Sequence, residues 1–182
     1  PGAGSDFARI RATGKRDGDD FILNGEKMWI SLATKADYGL VTVRTLPDTE
    51  KAYQGLTCFL VDLDSPGVTM GDIHGKLGVR AGSTGWINFQ DVRVPAANMI
   101  GEEGEGFKVT MSAFDSGRYT VAAGAAGLIR VSMEASVDYA KERETFGKPI
   151  AEHQLIQSKI AQMALDYEAA RLLYLLAGWK KN

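Results

Sequence analysis

The 182 residues carry 21 basic and 23 acidic side chains, a formal charge of −2 and 45% hydrophobic residues. That length can bury a core without disulfide staples, and the balanced charge speaks against a nucleic-acid surface or a polybasic membrane anchor as the main business. A single cysteine, Cys58, excludes a disulfide framework and a multi-cysteine metal site and fits a reducing compartment, while no apolar run reaches the ~20 residues of a membrane-spanning helix.

Pro1-Gly2-Ala3-Gly4-Ser5 opens the chain with no methionine and no leading helix or strand, so the sequence is expected to be a segment of a longer polypeptide. Its glycines either bring backbone N–H groups close to an anion or simply turn the chain; no helix follows to strengthen the first reading. Phe7 to Lys15 alternates loosely, Arg16-Asp17-Gly18-Asp19 supplies a turn, and Phe21 to Ser31 follows as a partner strand. Lys27-Met28-Trp29-Ile30-Ser31 ends that strand with an indole and a hydroxyl at i and i+2, on the same side of an ideal strand. Trp29 is then either a core residue or a flat wall for an aromatic cofactor, with Ser31 hydrogen-bonding the polar edge. Tyr38 to Thr45 and Leu56 to Leu63 are β-branched and apolar runs flanking a polar loop. Gly85 to Val94 alternates at period two and stops at Pro95. Short strands at this spacing predict a sandwich or barrel.

Sixteen of the 21 glycines lie at or before Gly106, and four of the five prolines are in the same part. The shift in composition predicts two domains, 1–105 and 106–182. Phe107, Met111, Phe114, Arg118, Val121, Ala125, Leu128, Ser132, Ala135 and Tyr139 follow a 4-3 spacing, which predicts one long helix with a small-residue seam. Asp115 and Arg118 are an ordinary i,i+3 ion pair on that helix, but Arg118 interrupts the seam, and a buried guanidinium needs a partner or a ligand. Arg143-Glu144-Thr145-Phe146-Gly147 closes the helix, as a solvated cationic end or as an arginine fork offered to a phosphate. His153-Gln154 opens a second helix, where a lone histidine is more often a cap than a catalyst. That helix carries Ile156, Ile160, Met163, Tyr167, Ala170 and Tyr174 on one face and Leu165, Leu172, Leu176 and Trp179 on another, the pattern of a helix inside a bundle that needs more helices than these two. The residues alone reach a two-domain ligand binder, α+β in class, with an antiparallel β-barrel or sandwich-like domain followed by part of an up-down helical bundle.

In sequence order, Pro1-Gly2-Ala3-Gly4-Ser5-Asp6, Gly25-Glu26-Lys27-Met28-Trp29-Ile30-Ser31, Lys76-Leu77-Gly78 with Ser83-Thr84, Phe89-Gln90-Asp91-Val92-Arg93-Val94-Pro95, Gly104-Glu105-Gly106-Phe107, Asp115 with Arg118, Arg143-Glu144-Thr145-Phe146-Gly147 and Glu152-His153-Gln154 are eight collinear motifs. Together they closely resemble an acyl-CoA dehydrogenase over nearly the whole chain. The resemblance implies the middle β domain plus the first two helices of the C-terminal helical domain. It implies FAD as cofactor, with Pro1, Gly2, Ala3, Gly4 and Ser5 in the segment that contacts it, Trp29 beside the isoalloxazine, and Ile30 and Ser31 along its edge. Arg143, Glu144, Thr145 and Phe146, continued by His153 and Gln154, would meet the FAD of a neighbouring subunit. Ser5 and the segment Asp115, Ser116, Gly117 and Arg118 would touch the acyl-CoA.

In this family a glutamate removes the α proton of the thioester while the β hydride passes to the flavin, and the electrons leave to an electron-transfer flavoprotein. One branch carries that glutamate just before the arginine matched by Arg118; here the position is Gly117, so the base is expected beyond Asn182 and no catalytic residue in this chain. Gly117 is expected to leave room for the acyl thioester. The resemblance also implies a homodimer or homotetramer, no nucleic-acid or membrane partner, and a bacterial cytoplasm or a mitochondrial matrix as location. The alternatives are an acyl-CoA oxidase-like enzyme, or a non-catalytic flavin-binding scaffold or assembly relative; a DNA-associated relative is disfavoured by the absence of a basic cluster.

Overall fold

In a computed structural model describing residues 2–181, seven strands form one mixed sheet in the first part of the chain. They are β1 (Thr13–Asp17), β2 (Asp20–Ser31), β3 (Tyr38–Arg44), β4 (Leu56–Asp62), β5 (Val68–Asp72), β6 (Thr84–Pro95) and β7 (Met99–Ile100). The spatial order is β5-β6-β2-β1-β3-β4-β7. Every pairing is antiparallel except that of β1 with β3, a single parallel pair, Thr13 with Arg44. The sheet stays open and does not close into a barrel; two antiparallel sections meet at that one parallel pair, a sandwich-like arrangement. Phe21 from one section and Phe59 from the other meet at 4.9 Å between ring centroids, tilted by 53°. Around them Leu23, Val43, Leu56, Val61, Val92 and Val94 are buried. The alternating pattern of β2 and β6 supplies half of this core and the continuous apolar runs of β3 and β4 the other half.

The ends of the predicted strands differ in places. Residues 7–9 form a short 3-10 turn where an extended segment was expected, because Phe7 leaves the strand direction to pack on Phe107, 6.1 Å between centroids. β6 is not evenly alternating: Leu23 pairs with Val92 but Gly25 with Phe89, so the strand bulges at Gln90 and Asp91, with Asp91 at φ +51°. Asn24 bonds both ends of the bulge residue, Nδ2 donating to Asp91 Oδ1 at 3.0 Å and the Asp91 N–H donating to Asn24 Oδ1 at 2.9 Å.

Two helices follow, α1 (Gly106–Glu142) and α2 (Gln154–Lys181), joined by a small hairpin of β8 (Glu144–Thr145) and β9 (Lys148–Pro149). Compact packing divides the chain at 112/113, within α1. In the second unit α2 returns antiparallel to α1: the Lys181 ammonium reaches Ser116 Oγ at 2.5 Å, and Gly178 lies under the Tyr119 ring. The two faces of α2 are not covered in this hairpin, since two helices bury only one stripe each; Leu155, Leu165, Leu172 and Trp179 are exposed. Among the described residues no helix is long and apolar enough to cross a membrane.

Candidate functional site

The candidate residues occupy four places. Pro1 lies outside the described residues. Gly2, Gly4 and Ser5 are exposed, while Ala3 packs on the β core. A side chain at Gly4 would meet nothing within 4 Å, whereas one at Gly2 would meet the Arg11 guanidinium at 3.3 Å.

Trp29 sits in a second irregularity of β2. Met28 pairs with Trp86 and Ile30 with Gly85, so Trp29 is an extra residue with no partner on β6. Its φ is +64°, and Leu32 just beyond stands at +61°. A large side chain in the left-handed region costs about 1–3 kcal/mol, and bulges of this kind re-aim a side chain. The result is an indole 65% exposed at the end of a rigid strand, with Ser31 exposed beside it and Ile30 turned onto the core. The same-side placement of Trp29 and Ser31 expected from simple alternation does not survive the bulge, but both remain accessible.

The chain leaving β2 is fastened by groups that the sequence reading did not single out. The Leu32 N–H donates to Ser83 O at 3.1 Å. Asp72 accepts from Ser83 Oγ at 2.8 Å and Thr34 Oγ1 at 3.0 Å, and these hydrogen bonds, Ser83 foremost, hold its carboxyl below the usual range. A second missed group is Lys27, which shares the core side of β2 with Phe21 and Leu23 and pairs with the buried Ile87. Its ammonium donates to Thr42 O at 2.5 Å, and burial lowers its pKa to about 8, against an opposing pull from Cys58. Period-two counting from Phe21 would have flagged a lysine on an apolar face.

On α1, Asp115 and Arg118 form the i,i+3 pair at 3.3 Å, with the guanidinium 5.8 Å from the Phe114 ring centre. Arg118 is not buried, as the seam had implied: its side chain is 69% exposed, because the two-helix hairpin leaves that face open. A side chain at Gly117 would meet nothing within 4 Å.

The fourth place is the joint between the helices. Phe146 and Gly147, at φ +53° and +76°, form the two-residue turn between β8 and β9. Glycine or asparagine usually fills the first of these positions; here it holds an aromatic ring 97% exposed. The Arg143 carbonyl accepts from Ile150 N–H at 2.7 Å, Thr145 Oγ1 lies 3.2 Å from His153 Nε2, and the His153 ring stands edge-on to Phe146 at 6.2 Å. The structure thus gathers Arg143, Glu144, Thr145, Phe146 and His153, with Gln154 next in sequence as the first residue of α2. Arg118 lies on α1 and Arg143 just past its end, 25 residues on, which at 1.5 Å per residue is roughly 37 Å along the helix axis.

Residues 1–92 match the model of the acyl-CoA dehydrogenase middle domain, and residues 104–182 that of the acyl-CoA dehydrogenase C-terminal domain. The chain belongs to the acyl-CoA dehydrogenase family. Its relatives in that family include the mitochondrial short-chain specific acyl-CoA dehydrogenase of Rattus norvegicus, 41% identical over all 182 residues and 44% of that protein. The butyryl-CoA dehydrogenase structure from Megasphaera elsdenii superimposes with a TM-score of 0.94 at 39% identity, covering 100% of this chain and 47% of that one. A glutaryl-CoA dehydrogenase from Mycobacterium smegmatis, solved in complex with FADH2, gives a TM-score of 0.91 at 36% identity, over 100% and 45% of the two chains. The chain therefore spans less than half the length of the acyl-CoA dehydrogenases it matches.

Proposed function

We propose that this chain supplies the β domain, 1–105, and the first two helices of the C-terminal domain, 106–182, of an FAD-dependent acyl-CoA dehydrogenase acting on an acyl-CoA thioester. The observation that carries the reading is the strained, exposed Trp29 at the end of β2 with Ser31 beside it: a flat apolar surface next to a hydroxyl suits a flat ring with a polar edge. Gly2, Ala3, Gly4, Ser5, Trp29, Ile30 and Ser31 would hold the flavin of the same subunit. Arg143, Glu144, Thr145, Phe146, His153 and Gln154 would hold that of a neighbour, and the roughly 37 Å along the helix between Arg118 and Arg143 supports giving those two segments different ligands. Bound FAD supplies a two-electron acceptor. The chain's own contribution is to fix the ring by the end of β2, to seat the CoA portion on Asp115, Ser116, Gly117 and Arg118, to touch the acyl-CoA through Ser5, and to keep water from the reacting carbons.

None of these residues is assigned as the general base. The electrons pass to an electron-transfer flavoprotein, and the working form is a homodimer or homotetramer in a bacterial cytoplasm or a mitochondrial matrix.

In the full-length flavoprotein Trp29→Ala is expected to weaken FAD binding about tenfold, the loss of one stacked aromatic face, and to change the flavin absorption band. Equilibrium dialysis and a visible spectrum test this; unchanged affinity and spectrum would remove the assignment. Gly117→Leu, which fills open space with four carbons, is expected to raise the KM for acyl-CoA with FAD content unchanged, and substrate binding as in the parent protein would show that the space is not used.

A further inference from the structure

A cation that no motif singled out lies against the segment assigned to coenzyme A. Lys181, on the last turn of α2, places its ammonium 2.5 Å from Ser116 Oγ and 5.5 Å from the centre of the Tyr119 ring. Ser116 stands between Asp115 and Arg118, the pair already assigned to the CoA portion. Gly178, less than one turn earlier, faces the same ring: a Cβ there would sit in ordinary contact with it, at 3.7 Å. Asp115 is engaged by Arg118 at 3.3 Å. Among the described residues the groups that meet Lys181 are a hydroxyl and a ring face, both neutral, and its charge is in no ion pair there. Lys180 adds a second positive charge to the same turn. The end of the helical hairpin is therefore net positive, with a compact point charge carrying three donors and a hydroxyl beside it. Coenzyme A carries a 3′-phosphate and a diphosphate, the anions that such a group recognises.

We propose that Lys181 is a positioning residue for the phosphate-bearing end of the coenzyme A thioester, working across from Arg118. The inference rests on the placement of coenzyme A at residues 115–118 given above. A lysine that merely tethers α2 to α1 would affect every ligand alike, so the ligands used must differ in how much of the phosphate-bearing end they carry.

Calorimetric binding of coenzyme A, dephospho-coenzyme A and pantetheine to the FAD-loaded full-length protein separates the cases. Lys181→Ala is expected to weaken coenzyme A about five- to tenfold, the scale of one partly exposed charge contact, to leave pantetheine unchanged, and to flatten the salt dependence of coenzyme A binding. Lys181→Arg should retain most of the affinity, and the response of dephospho-coenzyme A reports which phosphate is met. Equal losses for all three ligands, or no loss for coenzyme A, would overturn the proposal. If Arg118→Ala weakens coenzyme A while Lys181→Ala does not, only the role of Lys181 falls. If neither matters, the placement of coenzyme A on this segment falls with it.

Discussion

Alanine at Gly106 is expected to destabilise the β domain by about 3 kcal/mol, the upper range for forcing one extra carbon into packed structure. Gly106 begins α1 directly against β4. A Cβ there would lie 2.6 Å from the Thr57 carbonyl carbon and 2.7 Å from both its Cα and its nitrogen. These are backbone atoms of a fully buried strand residue, not the movable end of a side chain. Thr57 is further fixed by its hydroxyl, which bonds Thr45 Oγ1 at 2.7 Å and accepts from Gly104 N–H at 3.0 Å. Relief therefore requires the start of α1 or the middle of β4 to move. Two later glycines of α1 give the comparison: at Gly124 and Gly127 a Cβ would meet nothing within 4 Å. Alanine there should leave stability unchanged or raise it by up to ~1 kcal/mol through helix propensity. Urea denaturation of the three variants decides the matter, and a Gly106→Ala protein as stable as Gly124→Ala would mean that the close approach does not exist.

What the sequence made legible follows where side-chain pattern and backbone agree. Phe21 to Ser31 and the two apolar runs beginning at Tyr38 and Leu56 declare strands because their period and β-branched content match the elements found. The long helix was readable because its 4-3 spacing runs from Phe107 to Tyr139, nearly all of the 37 residues from Gly106 to Glu142. The bulges were less legible, although Ile87 and Phe89 are out of phase with Val92 and Val94, a slip of one residue that marks the Asp91 bulge. The left-handed turn at Phe146 was hidden for a different reason: an aromatic side chain is a poor signal for that conformation. At the candidate site the motifs named Trp29 and Ser31 but not the geometry that exposes them, since the bulge is decided by pairing with β6. Contacts between distant segments, such as Thr34 and Ser83 on Asp72 or Lys181 on Ser116, leave no local periodic trace at all.

Lys27 supplies the second large effect, and its sign follows from burial. The ammonium lies on the core side of β2 with a pKa lowered from 10.5 to about 8, first by desolvation, with Cys58 opposing. The unfolded chain thus holds a proton on this lysine between about pH 8 and 10.5 that the folded chain has lost, so the group's contribution to stability rises with pH across that window. Below pH 8 the folded protein carries the full cost of a charged lysine out of water, about 3 kcal/mol at 1.36 kcal/mol per tenfold change in proton affinity. Lys27→Met keeps an unbranched side chain of nearly the same length and removes the ammonium. It is expected to be more stable than the parent at pH 7 by about 1–3 kcal/mol, less than the full cost because the hydrogen bond to Thr42 O is lost.

The advantage should shrink steadily above pH 8 and be smallest near pH 10.5. Cys58 titrates in the opposite sense: burial raises its pKa above 9.0, so its own contribution falls as pH rises through that region. The quantity to measure is therefore the difference between parent and variant, repeated in a Cys58→Ala background. A difference that stays constant from pH 7 to 10.5 in both backgrounds would mean that Lys27 titrates as a solvated lysine, and that the polar chain from Lys27 through Thr42 to Thr110, whose hydroxyls meet at 2.9 Å, encloses no buried charge.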